Sequence, residues 1–316
     1  MPTEVSKREE KPGSGELGYA IPPPQLWEEY WLELAGGRMR YLKAGSGRAL
    51  ILVHGLMGYA FSWRFAIPAL AGNATVYAID NLGAGLSVSA PSMDCGMRAT
   101  ADRLLQFVDA LGIESYDLLG TSHGGAVAMI AAALSRERND PRLQRLVLVA
   151  PVNPWSRHGR RLAPLIGGKA GSFLFRRTIG RWRFLDYLWL RRMFGNGAKI
   201  PPDSLEGYRI PVRVNHAYDH GLRIVRTWSR DLAELEQALP KIRDYPTLLM
   251  WGTRDRAVSY HSAEPLRQNF RDARLVTFPG AGHLPYEEEP GEFNRALIDF
   301  LTAPAARDGS DSLVTS

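Results

Sequence analysis

Short apolar runs alternate along most of the chain with stretches whose apolar residues recur at helical spacing. "YWLELAGG" and "RMRYLKAG" read as two early strands joined at a Gly-Gly turn, and "RALILVHG" as a short, fully apolar strand that ends in glycine. "TVYAID", "SYDLLG" and "LQRLVLVAP" follow, and "PTLLMWG" and "RLVTFPG" come only after residue 245. Between them, residues 99–111 place Ala101, Leu104, Leu105, Val108 and Leu111 on one helical face, with Asp102, Arg103 and Asp109 off it. "FAIPALAG", the Ala-rich "GGAVAMIAAALSRE" and "GEFNRALIDFL" read as further helices. Strands that are continuous apolar runs are buried on both faces, so the pattern predicts an α/β protein with a mainly parallel, eight-stranded sheet flanked by helices.

One segment breaks the alternation. From residue 152 to 245 the spacing is helical with no convincing strand, too long for a loop, so an inserted helical subdomain is expected there. The core is then expected over 25–151 and 246–302, with loose ends at 1–24 and 303–316.

Composition sharpens this division. The chain has 316 residues, 45% hydrophobic, enough for one large core. Its net charge of +6 is uneven: residues 155–245 hold 18 Lys/Arg against 8 Asp/Glu, and the remainder holds 21 against 25. The lone cysteine, Cys95, cannot form an intramolecular disulfide and reads as a small buried side chain in a reducing compartment. Residues 1–24 lack the apolar core of a signal peptide, and no later run is long enough to span a bilayer, so a cytoplasmic location is expected.

The candidate chemistry lies where "SYDLLG" meets the Ala-rich helix. Gly120-Thr121-Ser122-His123-Gly124 matches G-x-S-x-G at a strand-to-helix junction, the setting of a nucleophile elbow. A serine there can also simply cap the helix. A nucleophilic serine needs an imidazole within reach. His123 is adjacent, but it follows Ser122 directly at a helix start, where its side chain should point away from the serine oxygen.

These residues, with His54-Gly55 after the third strand, "DNLGAGLS" over 80–87, Asp255 in "WGTRDRAVS" and His283 in "GAGHLPYEEEP", occur in one order. In that order the chain resembles α/β-hydrolase fold proteins of the serine-nucleophile, esterase/lipase-like kind with a helical cap, over residues 28–302. The resemblance implies a triad of Ser122, Asp255 and His283, with the backbone N–H groups of Leu56 and His123 as the oxyanion donors. It also implies ester hydrolysis on a small-molecule substrate. Epoxide hydrolases and haloalkane dehalogenases share the architecture but use an aspartate nucleophile, where this chain has Ser122. Thioesterases, acyltransferases, amidases, lactonases and C–C bond hydrolases keep the serine triad, and the residues do not separate them; a ligand-binding protein on the same scaffold is a further reading.

Other residues receive structural readings. His54 is expected to brace the oxyanion loop and Asp80 to fix a turn, while the His123 imidazole is expected to pack or hydrogen-bond. Asn153 stands where some relatives carry the acid, and an amide cannot replace a carboxylate. Arg254 and Arg256 flank Asp255 and read as solvated. His216 and His220, four apart, lack a third metal ligand nearby, so neither a metal nor a cofactor is expected.

The basic segment has two readings. Residues 157–192 hold ten Lys/Arg and one acid, Asp186, interleaved with Phe173, Phe175, Trp182, Phe184, Tyr187 and Trp189. Either these aromatics roof an apolar pocket while the arginines face solvent, or the segment lies on an anionic membrane surface. No nucleic-acid recognition motif accompanies the charge, and the oligomeric state is open.

Overall fold

The alternation within each apolar run decides how the sheet is covered. In β4 (Ala49–Val53), Ile51 and Val53 join one apolar cluster while Leu50 and Leu52 join another on the opposite face. The same division holds in β7 (Tyr116–Thr121), β8 (Leu143–Val149) and β9 (Thr247–Gly252), where Leu249 and Trp251 part from Leu248 and Met250. Both faces of the sheet are therefore core, as a period of two requires when helices cover each side.

The computed structural model describes residues 5–7, 26–156, 166–178, 182–214 and 217–304. Its strand order is β1-β2-β3-β5-β4-β7-β8-β9-β10, with β1 (Val5–Lys7), β2 (Glu28–Leu34), β3 (Gly37–Ala44), β5 (Thr75–Ile79) and β10 (Ala273–Phe278); β6 (Val88–Ser89) pairs with β3 off this path. From β5 through β4, β7, β8 and β9 to β10 every pairing is parallel, whereas β1, β2, β3 and β5 pair antiparallel.

All eight expected strands are present, but the sheet has ten. The two additions are three and two residues long, too short to carry a readable period. One of them, β1, lies inside the expected loose N-terminal segment and pairs with β2 at Ser6 and Trp31. The rest of 1–24, and 305–316, lie outside the described residues.

The helices in chain order are α1 (Ile67–Leu70), α2 (Met97–Ala110), α3 (His123–Glu137), α4 (Lys169–Thr178), α5 (Arg183–Met193), α6 (Ser204–Val214), α7 (Ala217–Ala238), α8 (Ala263–Arg267), α9 (Pro285–Glu288) and α10 (Pro290–Thr302). In α2 the predicted face is buried at Ala101, Leu104, Leu105 and Val108. Arg103, expected off that face, is buried too, because its guanidinium donates to the Asp94 carbonyl at 2.8 Å and to Thr100 at 3.2 Å. Helices α4 to α7 lie between β8 and β9, and no strand occurs there among the described residues. No helix of the described residues is long and apolar enough to cross a membrane.

Candidate active site

Parallel strands end at one edge of a sheet, and ligands bind in the crevice there. The loops after β4, β7, β9 and β10 carry Gly55, Ser122, Asp255 and His283 to that edge.

Ser122 sits between β7 and α3 with φ 53° and ψ −121°. For a residue with a Cβ this left-handed conformation costs roughly 1–3 kcal/mol and persists only where the surroundings impose it. They do so through backbone bonds: the Ser122 N–H donates to Val149 O at 2.9 Å, and its carbonyl accepts from Gly125 at 3.0 Å and Val152 at 2.9 Å. Glycines permit the turn. A Cβ on Gly124 would collide with the carbonyl oxygens of His54 and Val53, and one on Gly120 with the backbone of Gly124. A Cβ on Gly55 would lie 3.1 Å from that of Ser122, so the loop after β4 passes directly against the serine.

His283 and Asp255 form a fixed pair. His283 Nδ1 lies 2.7 Å from Asp255 Oδ2, and Asp255 Oδ1 accepts the N–H groups of Ala257 at 2.7 Å and Val258 at 2.9 Å. With Nδ1–H donated to the carboxylate, Nε2 is the ring nitrogen that carries the lone pair. Ser122 and His283 line one cavity of about 340 Å³. His123 does not line it: its ring is buried and stacks on Trp228, with centroids 6.0 Å apart. Its backbone N–H is the first of α3, one of those that a helix cannot satisfy itself. Leu56 lies in the loop facing Ser122 and lines the cavity.

Supporting residues hold this frame. Asn81 N–H donates to His54 Nε2 at 3.0 Å, so the proton is on Nδ1, which donates to Gly55 O at 2.8 Å. The ring thus ties the loop after β4 to the loop after β5, and burial depresses its pKa. Asp80 accepts from Leu86 N–H at 2.9 Å, closing its turn, and also from Ala60 N–H at 2.7 Å and Arg40 at 3.0 Å. Asn153 spends its amide on Pro151 O, Ser262 Oγ and Trp155 N–H. Arg254 and Arg256 are exposed, and Arg256 also reaches the cavity wall. Cys95 is buried, 3.5 Å from His220 Nδ1, and burial pushes its thiol up. His216 lies outside the described residues, among which no three His, Cys, Asp or Glu are grouped to hold a metal.

The opposite wall differs from the aromatic roof expected of residues 157–192. Trp189 lines the cavity, but Phe173, Trp182, Phe184 and Tyr187 are exposed, and the Phe175 side chain lies outside the description. Leu190, Met193, Leu205, Leu222, Val225 and Trp228 cover the cavity instead. Of the arginines in that stretch, Arg177, Arg183, Arg191 and Arg192 are exposed, and Arg192 also reaches the cavity wall; Arg209, further along the chain, is buried in this wall with its Nε 3.4 Å from Asp186.

Two acids that sequence reasoning passed over bind this wall to the sheet. Glu288 accepts backbone N–H groups from Gly195 at 2.9 Å, Asn196 at 2.7 Å and Gly282 at 2.8 Å, while the His283 N–H donates to Met193 O at 2.6 Å. The loop that carries His283 is thereby stitched to the end of α5. Glu287 is buried and pairs with Arg64 at 2.9 Å, Ser204 at 3.1 Å and Tyr208. Burial opposes the Arg64 charge, but Glu287 outweighs it and holds the guanidinium more firmly protonated than usual. The signal was present in "HLPYEEEP", where acids follow His283 directly, but a run of acids ordinarily marks a solvated surface.

The profile of the alpha/beta hydrolase fold family matches residues 48–290. The chain belongs to the α/β-hydrolase fold family. Among its relatives, N-formylmaleamate deformylase of Pseudomonas putida is 33% identical over 274 residues, 85% of this chain and 94% of that protein. Haloalkane dehalogenase 2 of Mycobacterium tuberculosis is 30% identical over 289 residues, 88% of this chain and 97% of that one. The crystal structure of Cfl2 from Burkholderia cenocepacia superposes with a TM-score of 0.77 at 20% identity, covering 88% of this chain and 97% of that one, a likeness of fold. Like its relatives, this member of the α/β-hydrolase family is a hydrolase.

Proposed function

We propose that this hydrolase cleaves carboxylic esters with an apolar acyl or alcohol part through an acyl-enzyme on Ser122. The observation that carries the reading is the His283–Asp255 pair, held at 2.7 Å beside the cavity that also contains the strained Ser122. Ser122 Oγ attacks the carbonyl carbon while His283 Nε2 takes its proton, and the carbonyl electrons move onto oxygen. The N–H groups of Leu56 and His123 receive that oxyanion. Collapse of the tetrahedral species expels the alcohol, which takes the proton from His283, and water repeats the sequence on the acyl-enzyme. Asp255 keeps the ring in one tautomer and offsets the imidazolium charge. Residues 152–245 serve as the lid, and its apolar side chains favour an apolar substrate portion. No step calls for a cofactor or metal.

The serine at position 122 speaks against dehalogenation despite the relative of that name, because an aspartate nucleophile is absent there. The deformylase relative favours a second reading, cleavage of an acyl–nitrogen bond by the same residues. A panel of aryl esters, thioesters, lactones and N-acyl compounds separates the two. Ser122→Ala is expected to abolish both turnover of a short-chain aryl ester and labelling by a fluorophosphonate probe; retention of either overturns the assignment.

A further inference from the structure

Helices α4 and α5 have an outward face that the cavity does not use. Phe173, Leu174, Trp182 and Phe184 each leave 59 to 67% of their surface exposed. Single exposed apolar residues are ordinary, but ten large ones are exposed among the described residues, and six of these, Phe173, Leu174, Trp182, Phe184, Tyr187 and Leu188, lie on or beside α4 and α5 without lining the cavity. Clustering on this scale marks a contact surface.

The charge of the same stretch says what kind. In sequence, residues 157–192 hold ten Lys/Arg and a single acid, Asp186, whose side chain is largely buried against Arg209 in the cavity wall; the cations of the stretch whose side chains are described are Arg177, Arg183, Arg191 and Arg192, all exposed. Arg183 pairs with Glu206 from α6, and Arg213 pairs with the same carboxylate. Arg177 lies over the ring of Phe173 at 5.2 Å, so charge and aromatic surface occur together on α4, and Arg191 is exposed at the end of α5.

We propose that this face docks on an anionic lipid bilayer. Aromatic side chains on a cationic helical surface enter the headgroup boundary while the cations meet lipid phosphates. A second copy of this chain is disfavoured as the occupant, because a two-fold contact would set the same cationic patch against itself. Helix α5 then stands between lipid and cavity: Phe184 and Leu188 are exposed, while Trp189, Leu190 and Met193 line the cavity. Entry of substrate from the lipid rests on the catalytic reading above; docking does not.

The full chain is sedimented with vesicles of phosphatidylglycerol and phosphatidylcholine in equal parts, and with phosphatidylcholine alone. Binding is expected to the anionic vesicles only, and to fade at high salt, where the screening length falls from about 10 Å at 0.1 M to about 3 Å at 1 M. Phe173→Ser and Phe184→Ser are each expected to weaken partitioning by about tenfold, and Arg177→Gln and Arg191→Gln by about fivefold each. Circular dichroism checks that the variants fold. Three results overturn the proposal: no sedimentation with anionic vesicles at low salt, equal binding by wild type and all four variants, or a dimer in light scattering that Phe184→Ser dissolves without any lipid binding. A wild type that sediments but resists the fluorophosphonate keeps the docking and removes the catalytic reading.

Discussion

On the sheet side of the cavity, Ser122, Asp255 and His283 are held by main-chain groups: Val149 O on the serine, the Ala257 and Val258 N–H groups on the aspartate, and Met193 O on the histidine. On the helical side the fixed points are side-chain pairs such as Arg209 with Asp186, and Ser204 and Tyr208 with Glu287. Main-chain anchors tolerate few changes of sequence, because glycines such as Gly124 leave no room for a Cβ. Side-chain anchors can be exchanged piecemeal. On the proposed mechanism the chemistry then falls to the wall with main-chain anchors and the selectivity to the wall with side-chain anchors, a division that suits relatives of differing named activities on one fold.

The sharpest way to break this contrast is to remove the proposed base. His283→Ala is expected to lower kcat/KM for a short-chain aryl ester by about 10⁴-fold or more. His123→Ala, beside the serine but turned into the core, is expected to stay within about tenfold, since the donor assigned to it is a main-chain N–H that alanine also carries. Equal losses in the two variants would sink the division of roles.

Next in size is a test of the main-chain anchors. Gly124→Ala would force a methyl group into the carbonyls of His54 and Val53 and is expected to cost about 3 kcal/mol in urea unfolding. A variant as stable as wild type would show that the junction can relax.

Glu288 joins the two walls. Glu288→Gln leaves an acceptor but loses the charge that binds three N–H groups, so the His283 loop should loosen against α5. Expected is a fall in kcat on the order of tenfold to a hundredfold with KM little changed, because displacement of a base misaligns proton transfer more than binding. A change in KM alone would mean that Glu288 acts through the helical wall and not as a positioning residue for His283.

Much of the sheet wall is legible without coordinates, for physical reasons. Buried parallel strands must be continuous apolar runs, and an elbow must be glycine-flanked, so Ser122 and its strand stand out together. Asp255 and His283 are legible through their order on loops after the last two strands. The two short strands escape notice because two or three residues carry no period. Glu287 and Glu288 escape because their burial is made by Gly195, Ser204 and Tyr208, some eighty to ninety residues earlier. Local pattern also misplaces the aromatics of α4 and α5: it shows that they share a segment but not which side of the helix meets the cavity.

The smallest expected effect concerns acid. His123 is buried and its pKa is depressed from 6.5 to about 4, mainly by burial and further by His54; burial likewise holds His220 down, to about 3. A depressed pKa means that the folded protein binds the proton more weakly than the unfolded chain. Stability from this source is therefore complete above pH 6.5 and is lost as pH falls from 6.5 toward 4. Among the described residues His123 Nε2 also has no hydrogen-bond partner, so replacing the ring with an apolar group removes no bond to that atom there. His123→Leu is expected to lose less of its thermal midpoint than wild type over that interval while keeping some of the decline, because His54 and His220 remain. Parallel curves for the two proteins would mean that His123 can be protonated in place, and that the sheet wall is less tightly closed to water than its burial implies.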